Sequence, residues 1–252
     1  MRYSAAIKML RISILLVTLS GLGSVAFGAD VRVAVSNQFD FTLEELKESF
    51  EQSYEHRLVL VPGPSARLYG RIMSGESFDV FLSDDPRRTE ALHNSQRFPE
   101  ASVFPFSRSQ LALWSVRNRP VNPSVLQNGD FELLSMTDPK LSPFGQAAMD
   151  TLKAFDAWES LQDKLVFGEN IGQTYHFAIS GDVDMALIPF SQLIYGRYMQ
   201  AGNYWLVPDA VYSPIENQGI QLTDNPGVEE FLSFLKTPAA RAIIRGNGFA
   251  SP

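Results

Sequence analysis

The 252-residue sequence contains no cysteine. That excludes a disulfide framework, thiolate catalysis and thiolate metal sites, and leaves the fold to be held by packing alone. Histidine is almost as scarce: His56, His93 and His176 are the only three, and no two stand at the i, i+4 spacing of a helical zinc site. Positive charge is also in deficit, with 21 Lys plus Arg against 28 Asp plus Glu and a net charge of −7. Such a chain is a poor partner for nucleic acid or an anionic membrane surface. No serine lies in a G-x-S-x-G elbow, and the pairs Asp84-Asp85 and Asp182/Asp184 lack EF-hand spacing, so they read as helix caps or solvated turns.

The only long apolar run stands at the start. Arg2, Lys8 and Arg11 precede the run from Ile12 to Leu19, and Val25-Ala26-Phe27-Gly28 follows with small residues at alternate positions. This is the layout of a secretory signal peptide over residues 1–28, with a retained anchor as the alternative. No cysteine follows to carry a lipid. Without residues 1–28 the count falls from 21 to 18 Lys plus Arg against 28 Asp plus Glu, a formal charge of −10. About 220 residues remain, enough for one large domain or two small ones.

What is present is organised around the stretch from Leu58 to Asp85. Two apolar runs, 58–61 and 78–82, are each stopped by turn residues and read as buried strands. Leu68, Ile72 and Met73 between them suit a helix closed by Gly75. Ser65 stands where that helix begins, and a helix start attracts anions without a cationic side chain. Strand, turn and helix then recur. Residues 31–35 predict a strand ending in Ser36-Asn37, then a helix from about Thr42 to Tyr54 with Thr42 and Glu45 at capping-box spacing. Asp85-Pro86 starts a helix through Leu92, and a polar stretch leads to Phe104-Pro105-Phe106.

Strands are predicted at 110–116, 133–136, 164–167 and 184–188, a helix from Ser142-Pro143 through Phe155, another after Glu169-Asn170-Ile171-Gly172, and a helix from Ser191 to Tyr198. Residues 204–207 and 219–222 look like further strands, with helices at 228–235 and 239–245 closing the chain. The breaks at Asn118-Arg119-Pro120 and Asn122-Pro123 mark a domain crossing. The alternation indicates an α/β architecture with mostly parallel sheets. Trp114, Trp158 and Trp205 read as packing residues.

Four turns follow strands and open helices: Ser36-Asn37, Ser65, Phe144-Gly145 and Ile171-Gly172, two from each half of the chain. In open α/β sheets the ligand crevice lies at the carboxyl ends of strands, so two such units face to face would enclose a small solute. Hydroxyl, amide and backbone N–H groups are uncharged donors suited to a fully ionised oxyanion, and they leave a protonated one with an unpaired hydroxyl. Singly, each of these residues is an ordinary cap or turn residue.

The segments AVSNQFDFTLEEL, GPSARLYGRIMSGESFDVFLSDD, LSMTDPKLSPFGQAA, VFGENIGQTYHFAISGDVDMALIPFSQL and KTPAARAIIRGNGF resemble, in order and spacing, those of the periplasmic molybdate-binding proteins, the solute receptors of ABC importers. The resemblance implies a two-lobed periplasmic binding protein fold of type II, each lobe a mixed, mostly parallel sheet flanked by helices, with two hinge crossings. Lobe I would comprise residues 29–109 and 219–252, and lobe II residues 110–218. It also implies capture of molybdate or tungstate by Ser36, Asn37, Ser65 and the main-chain N–H groups of Phe144 and Ile171. The metal would enter only as the bound oxyanion, with no cofactor, no catalysis, a monomeric periplasmic receptor and an ABC permease in the inner membrane as partner. Where some members offer a tyrosine hydroxyl, this chain has Pro189-Phe190. The alternatives are a receptor for another tetrahedral oxyanion such as sulfate, a sensor with the same fold, and a periplasmic hydrolase acting through Ser65.

Overall fold

The computed structural model describes residues 28–98, 100–117, 119–195 and 202–252. The expected signal peptide up to residue 27, Asn118 of the expected break, and the expected helix beyond Tyr195 therefore lie outside the described residues.

The described strands form two mixed sheets. In the first, β1 (Asp30–Ser36) runs parallel to β2 (Arg57–Gly63) on one side and β3 (Val80–Ser83) on the other. β10 (Ile215–Gln221) lies antiparallel to β3, β4 (Ser102–Ser109) antiparallel to β10, and the short β11 (Phe249–Ala250) ends the sheet beside β4. In the second, β6 (Leu134–Thr137) is flanked in parallel by β7 (Leu165–Gly168) and β8 (Met185–Pro189), and β5 (Leu111–Ser115) pairs antiparallel with β8 and β9 (Asn203–Leu206).

Each sheet is covered on both faces, because side chains alternate along a strand and both sets are apolar. Val31, Val33 and Val35 join Leu43, Leu46 and Phe50 of α1 (Asp40–Glu51), Phe231 of α8 (Pro226–Leu235) and Ile244 of α9 (Pro238–Gly246). Ala34 and Phe81 point the other way, onto Leu68 and Ile72 of α2 (Ser65–Met73) and Leu92 of α3 (Pro86–His93). In the second sheet Leu111, Leu113 and Leu187 meet α4 (Pro123–Asn128) and α5 (Pro143–Ala154), while Ala112, Trp114 and Ile188 meet α6 (Ile171–Ser180) and α7 (Phe190–Tyr195). Trp114 is fully buried and stacks on Tyr175, in the packing role its sequence context suggests.

Four local expectations are corrected. Thr42 does not cap α1: the helix begins at Asp40 with Phe39 in the cap position and no side-chain cap, and Glu45 instead accepts from the Asn247 amide at 3.1 Å. The stretch before Phe104-Pro105-Phe106 is part of strand β4. The register with β10 shifts between Asn217 and Gln218, opposite Pro105, so the residue that cannot donate to a ladder sits at an irregularity. β10 starts at Ile215 rather than Gly219. α4 and β11 were not anticipated, being only six and two residues long.

The expected crossing at residues 118–123 is also corrected, since β5 ahead of it already belongs to the second sheet and α4 after it packs there too; among the described residues the two passages between the sheets lie elsewhere. β4 runs into β5 through Gln110, and β10 begins with Ile215 in the second sheet's core and continues to Ile220 in the first. At this crossing Asn217, fully buried, donates to Ser107 at 2.9 Å and Ser109 at 3.0 Å, and Gln38 donates to Ser109 at 2.5 Å.

Candidate functional site

Because β1, β2 and β3 are parallel, their carboxyl ends share one edge of the first sheet. β1 delivers Ser36 and Asn37 there. The register sets Ser36 beside Gly63, two residues before Ser65, and β3 ends at the same edge with Asp84 just beyond it. Ser36 is buried and Asn37 exposed, and neither side chain hydrogen-bonds to any described residue. Ser65 opens α2 behind Pro64, which offers no side-chain cap; the N–H of Arg67 closes onto the Pro64 carbonyl at 2.9 Å, so the N–H groups of Ser65 and Ala66 lie ahead of the helical ladder. The Ser65 hydroxyl donates to a carboxylate oxygen of Asp84 at 2.5 Å.

The second sheet repeats the arrangement with β6, β7 and β8. After β6 the Ser142 hydroxyl oxygen accepts from the Phe144 N–H at 3.2 Å, so this expected donor already has an acceptor within its own helix start, while its ring lies in the core. At Gly145 a Cβ would come within 2.3 Å of the Thr137 carbonyl oxygen, so only glycine lets α5 begin this close to β6. After β7 the Asn170 side chain caps α6 by accepting from the Gln173 N–H at 3.0 Å, and the N–H groups of Ile171 and Gly172 lie ahead of the helical ladder. After β8 comes Phe190, which has no hydroxyl to offer.

Two contacts bring the edges towards one another. α1 leaves the carboxyl end of β1 and α7 leaves that of β8; Tyr195 of α7 hydrogen-bonds to Thr42 of α1, and its ring stacks on Phe41 with centroids 5.0 Å apart. Burial pushes the Tyr195 phenol up to about 12, against the Thr42 hydrogen bond and with help from Glu45, so this bridge stays neutral at physiological pH. The turns named from the sequence thus lie on the carboxyl edges of two sheets whose helices α1 and α7 meet at Tyr195. A separate cavity of about 270 Å³, lined by Phe104, Phe106, Leu235 and Ile244 with Lys236 and Arg241, contains none of these turns.

Asp85, Asp184 and two of the histidines have structural partners. Asp85 caps α3 by accepting from Arg87 N–H at 3.2 Å, and Asp184 is buried and accepts from Glu132 N–H at 2.7 Å, with Arg117 and Arg119 3.5 and 3.6 Å away. His93 bonds to the Ala101 carbonyl and His56 lies 3.6 Å from Glu230, so neither stands beside Ser65. No local pattern singles out Gln38, Ser109, Asn217 or Tyr195, whose partners lie 71 to 153 positions away. Asp84 was visible only as half of an acidic pair.

Comparison with known proteins bears on the family and the fold. The family described as bacterial extracellular solute-binding protein matches residues 31–250. The chain is 31% identical over 233 residues to a molybdate-binding protein ModA of Azotobacter vinelandii, covering 90% of this chain and 92% of that one. It is 32% identical over 236 residues to the ModA of Rhodobacter capsulatus, with 92% of each covered. Among solved structures, the Azotobacter vinelandii periplasmic molybdate-binding protein superposes with a TM-score of 0.71 at 28% identity, covering 88% of this chain and 99% of that one. A tungstate-binding protein, TupA, from Desulfovibrio alaskensis shares the fold at 11% identity, with a TM-score of 0.65 over 89% of this chain and 99% of its own.

Proposed function

We propose, from the premise that this chain belongs to the bacterial extracellular solute-binding proteins and is akin to the molybdate-binding ModA proteins among them, that it is a periplasmic receptor that captures molybdate or tungstate for an ABC importer. The observation that carries the reading is a pair of parallel-strand edges bridged by Tyr195, with the side chains of Ser36 and Asn37, unengaged among the described residues, on one and the N–H groups of Ile171 and Gly172 ahead of the α6 ladder on the other. Ser36, Asn37, Ser65 and the N–H groups of Phe144 and Ile171 are the proposed ligands, Phe144 on condition that its N–H leaves Ser142. The proposed lobes are residues 29–109 with 219–252, and residues 110–218, hinged at Gln110 and at the start of β10. Residues 1–28 are proposed as a cleaved signal, the receptor as a monomer, and an inner-membrane permease as its partner.

Placing a dianion in a closed cleft means giving up its hydration, which several charge-assisted hydrogen bonds of roughly 1.5–3 kcal/mol each can offset. Size then ranks the ligands, since a cage spaced for long Mo–O or W–O bonds holds sulfate with stretched contacts. The test is a thermal-shift and calorimetry panel of molybdate, tungstate, chromate, sulfate and phosphate. A ligand at a hundred times its Kd stabilises by about 2.7 kcal/mol. Molybdate and tungstate should raise the melting temperature strongly and sulfate and phosphate much less; equal shifts by all five would overturn the assignment.

A further inference from the structure

The cleft edge of the first sheet does not consist of uncharged donors alone. Asp84 follows β3 directly, and its carboxylate takes the single proton of Ser65, the hydroxyl that would otherwise point to an oxyanion. Its neighbour Asp85 is matched by Arg87 at 2.8 Å and Arg88 at 3.5 Å, and Arg88 in turn lies over the Tyr69 ring of α2. Asp84 has no such cation among the described residues, and on the β10 side the nearest strand offers Gln218, whose side chain is engaged by Thr89. A ligand oxygen that accepts from Ser65 would take that proton from Asp84, with the two negative groups on either side of the hydroxyl within about twice a hydrogen-bond length, on the order of 5–6 Å.

We propose that Asp84 is a specificity-determining residue of this cleft, which competes with the bound oxyanion for the Ser65 hydroxyl and discriminates by ligand charge, weighing more heavily on a dianion than on a monoanion of the same shape. The inference rests on the oxyanion reading given above. Two effects act together. The ligand must draw Ser65 away from a charge-assisted bond, and it must then sit near a like charge, a repulsion that scales with its own charge. Neither effect depends on size, so charge selection would be added to the size selection made by the cage.

The test measures the Kd for molybdate and for perrhenate, tetrahedral anions of similar size and charges −2 and −1, by calorimetry on the wild-type protein and on Asp84→Ala, Asp84→Asn, Ser65→Ala and the Ser65→Ala/Asp84→Ala double variant. Unliganded melting curves check that each variant folds. Asp84→Ala should tighten molybdate on the order of tenfold or more, and perrhenate by a smaller factor. Asp84→Asn removes the charge while keeping an acceptor for Ser65, and should also favour molybdate over perrhenate relative to wild type. In the Ser65→Ala background, removing Asp84 should gain less, since no hydroxyl remains to be released. If Ser65→Ala weakens molybdate but neither Asp84 variant tightens it, the role of Asp84 is refuted and the oxyanion site stands. If the wild type and every variant fail to bind either anion, both fall.

Discussion

Ser36 and Asn37 illustrate what a single residue can carry. Each is an ordinary turn residue by type, yet neither side chain has a hydrogen-bond partner among the described residues at the end of a central strand. Ser36→Ala should weaken molybdate binding by roughly 1–3 kcal/mol in calorimetry with an unchanged unliganded melting temperature, and wild-type affinity would place the site elsewhere. Asp150 is the counterpart in stability. Burial would raise its pKa, but the Ser213 N–H at 3.1 Å, the Ser213 hydroxyl at 2.8 Å and Gln146 at 2.8 Å outweigh that and hold it below its ordinary 3.8. A depressed carboxylate stabilises the fold above its unfolded value and ceases to do so as pH falls through its folded one. Asp150→Asn should therefore lower the melting temperature at pH 7, and the gap to wild type should narrow below pH 3.8; a gap independent of pH would contradict the assignment.

At the scale of elements, tight approaches decide where the helices begin. Gly145→Ala would press a methyl group into the Thr137 carbonyl and push the start of α5 away from β6. A loss of about 1–3 kcal/mol in chemical denaturation is expected, with weaker ligand binding, and full retention of both would show that α5 can shift freely. The crossing strands depend on Asn217, whose amide bonds Ser107 and Ser109 in a buried network. Asn217→Ala leaves those hydroxyls short of a partner and should destabilise by about 1–3 kcal/mol in denaturant melts. Strand and helix order were legible from apolar runs and turn residues. The failures were local competitions: Thr42 has capping-box spacing but is drawn into the interior by Tyr195, and Pro105 disguises a strand whose partner yields with a register shift.

For the whole molecule, two crossings and one lateral bridge define how the sheets can move relative to each other. The function proposed above requires the cleft to close on its ligand by rotation at Gln110 and at the start of β10. Small-angle scattering should then record a smaller radius of gyration with molybdate than without, and identical profiles would argue against hinge closure. Tyr195→Phe removes the hydroxyl that bonds Thr42 while preserving the stack on Phe41. It should change overall stability by only about 1 kcal/mol in denaturant melts, and a much larger loss would make the bridge a fixed core contact.

The sequence by itself determined the alternating α/β order, the lack of any thiol, and the turns that carry Ser36, Ser65, Phe144 and Ile171. Those properties reside in periodicity and in residue type, which are local. Only the tertiary structure decided that Asp84 holds Ser65, that Ser142 already holds the Phe144 N–H, and that Gln38 and Asn217 join at the crossing. A polar group pairs with whichever donor or acceptor folding brings within reach, and that partner can lie anywhere along the chain.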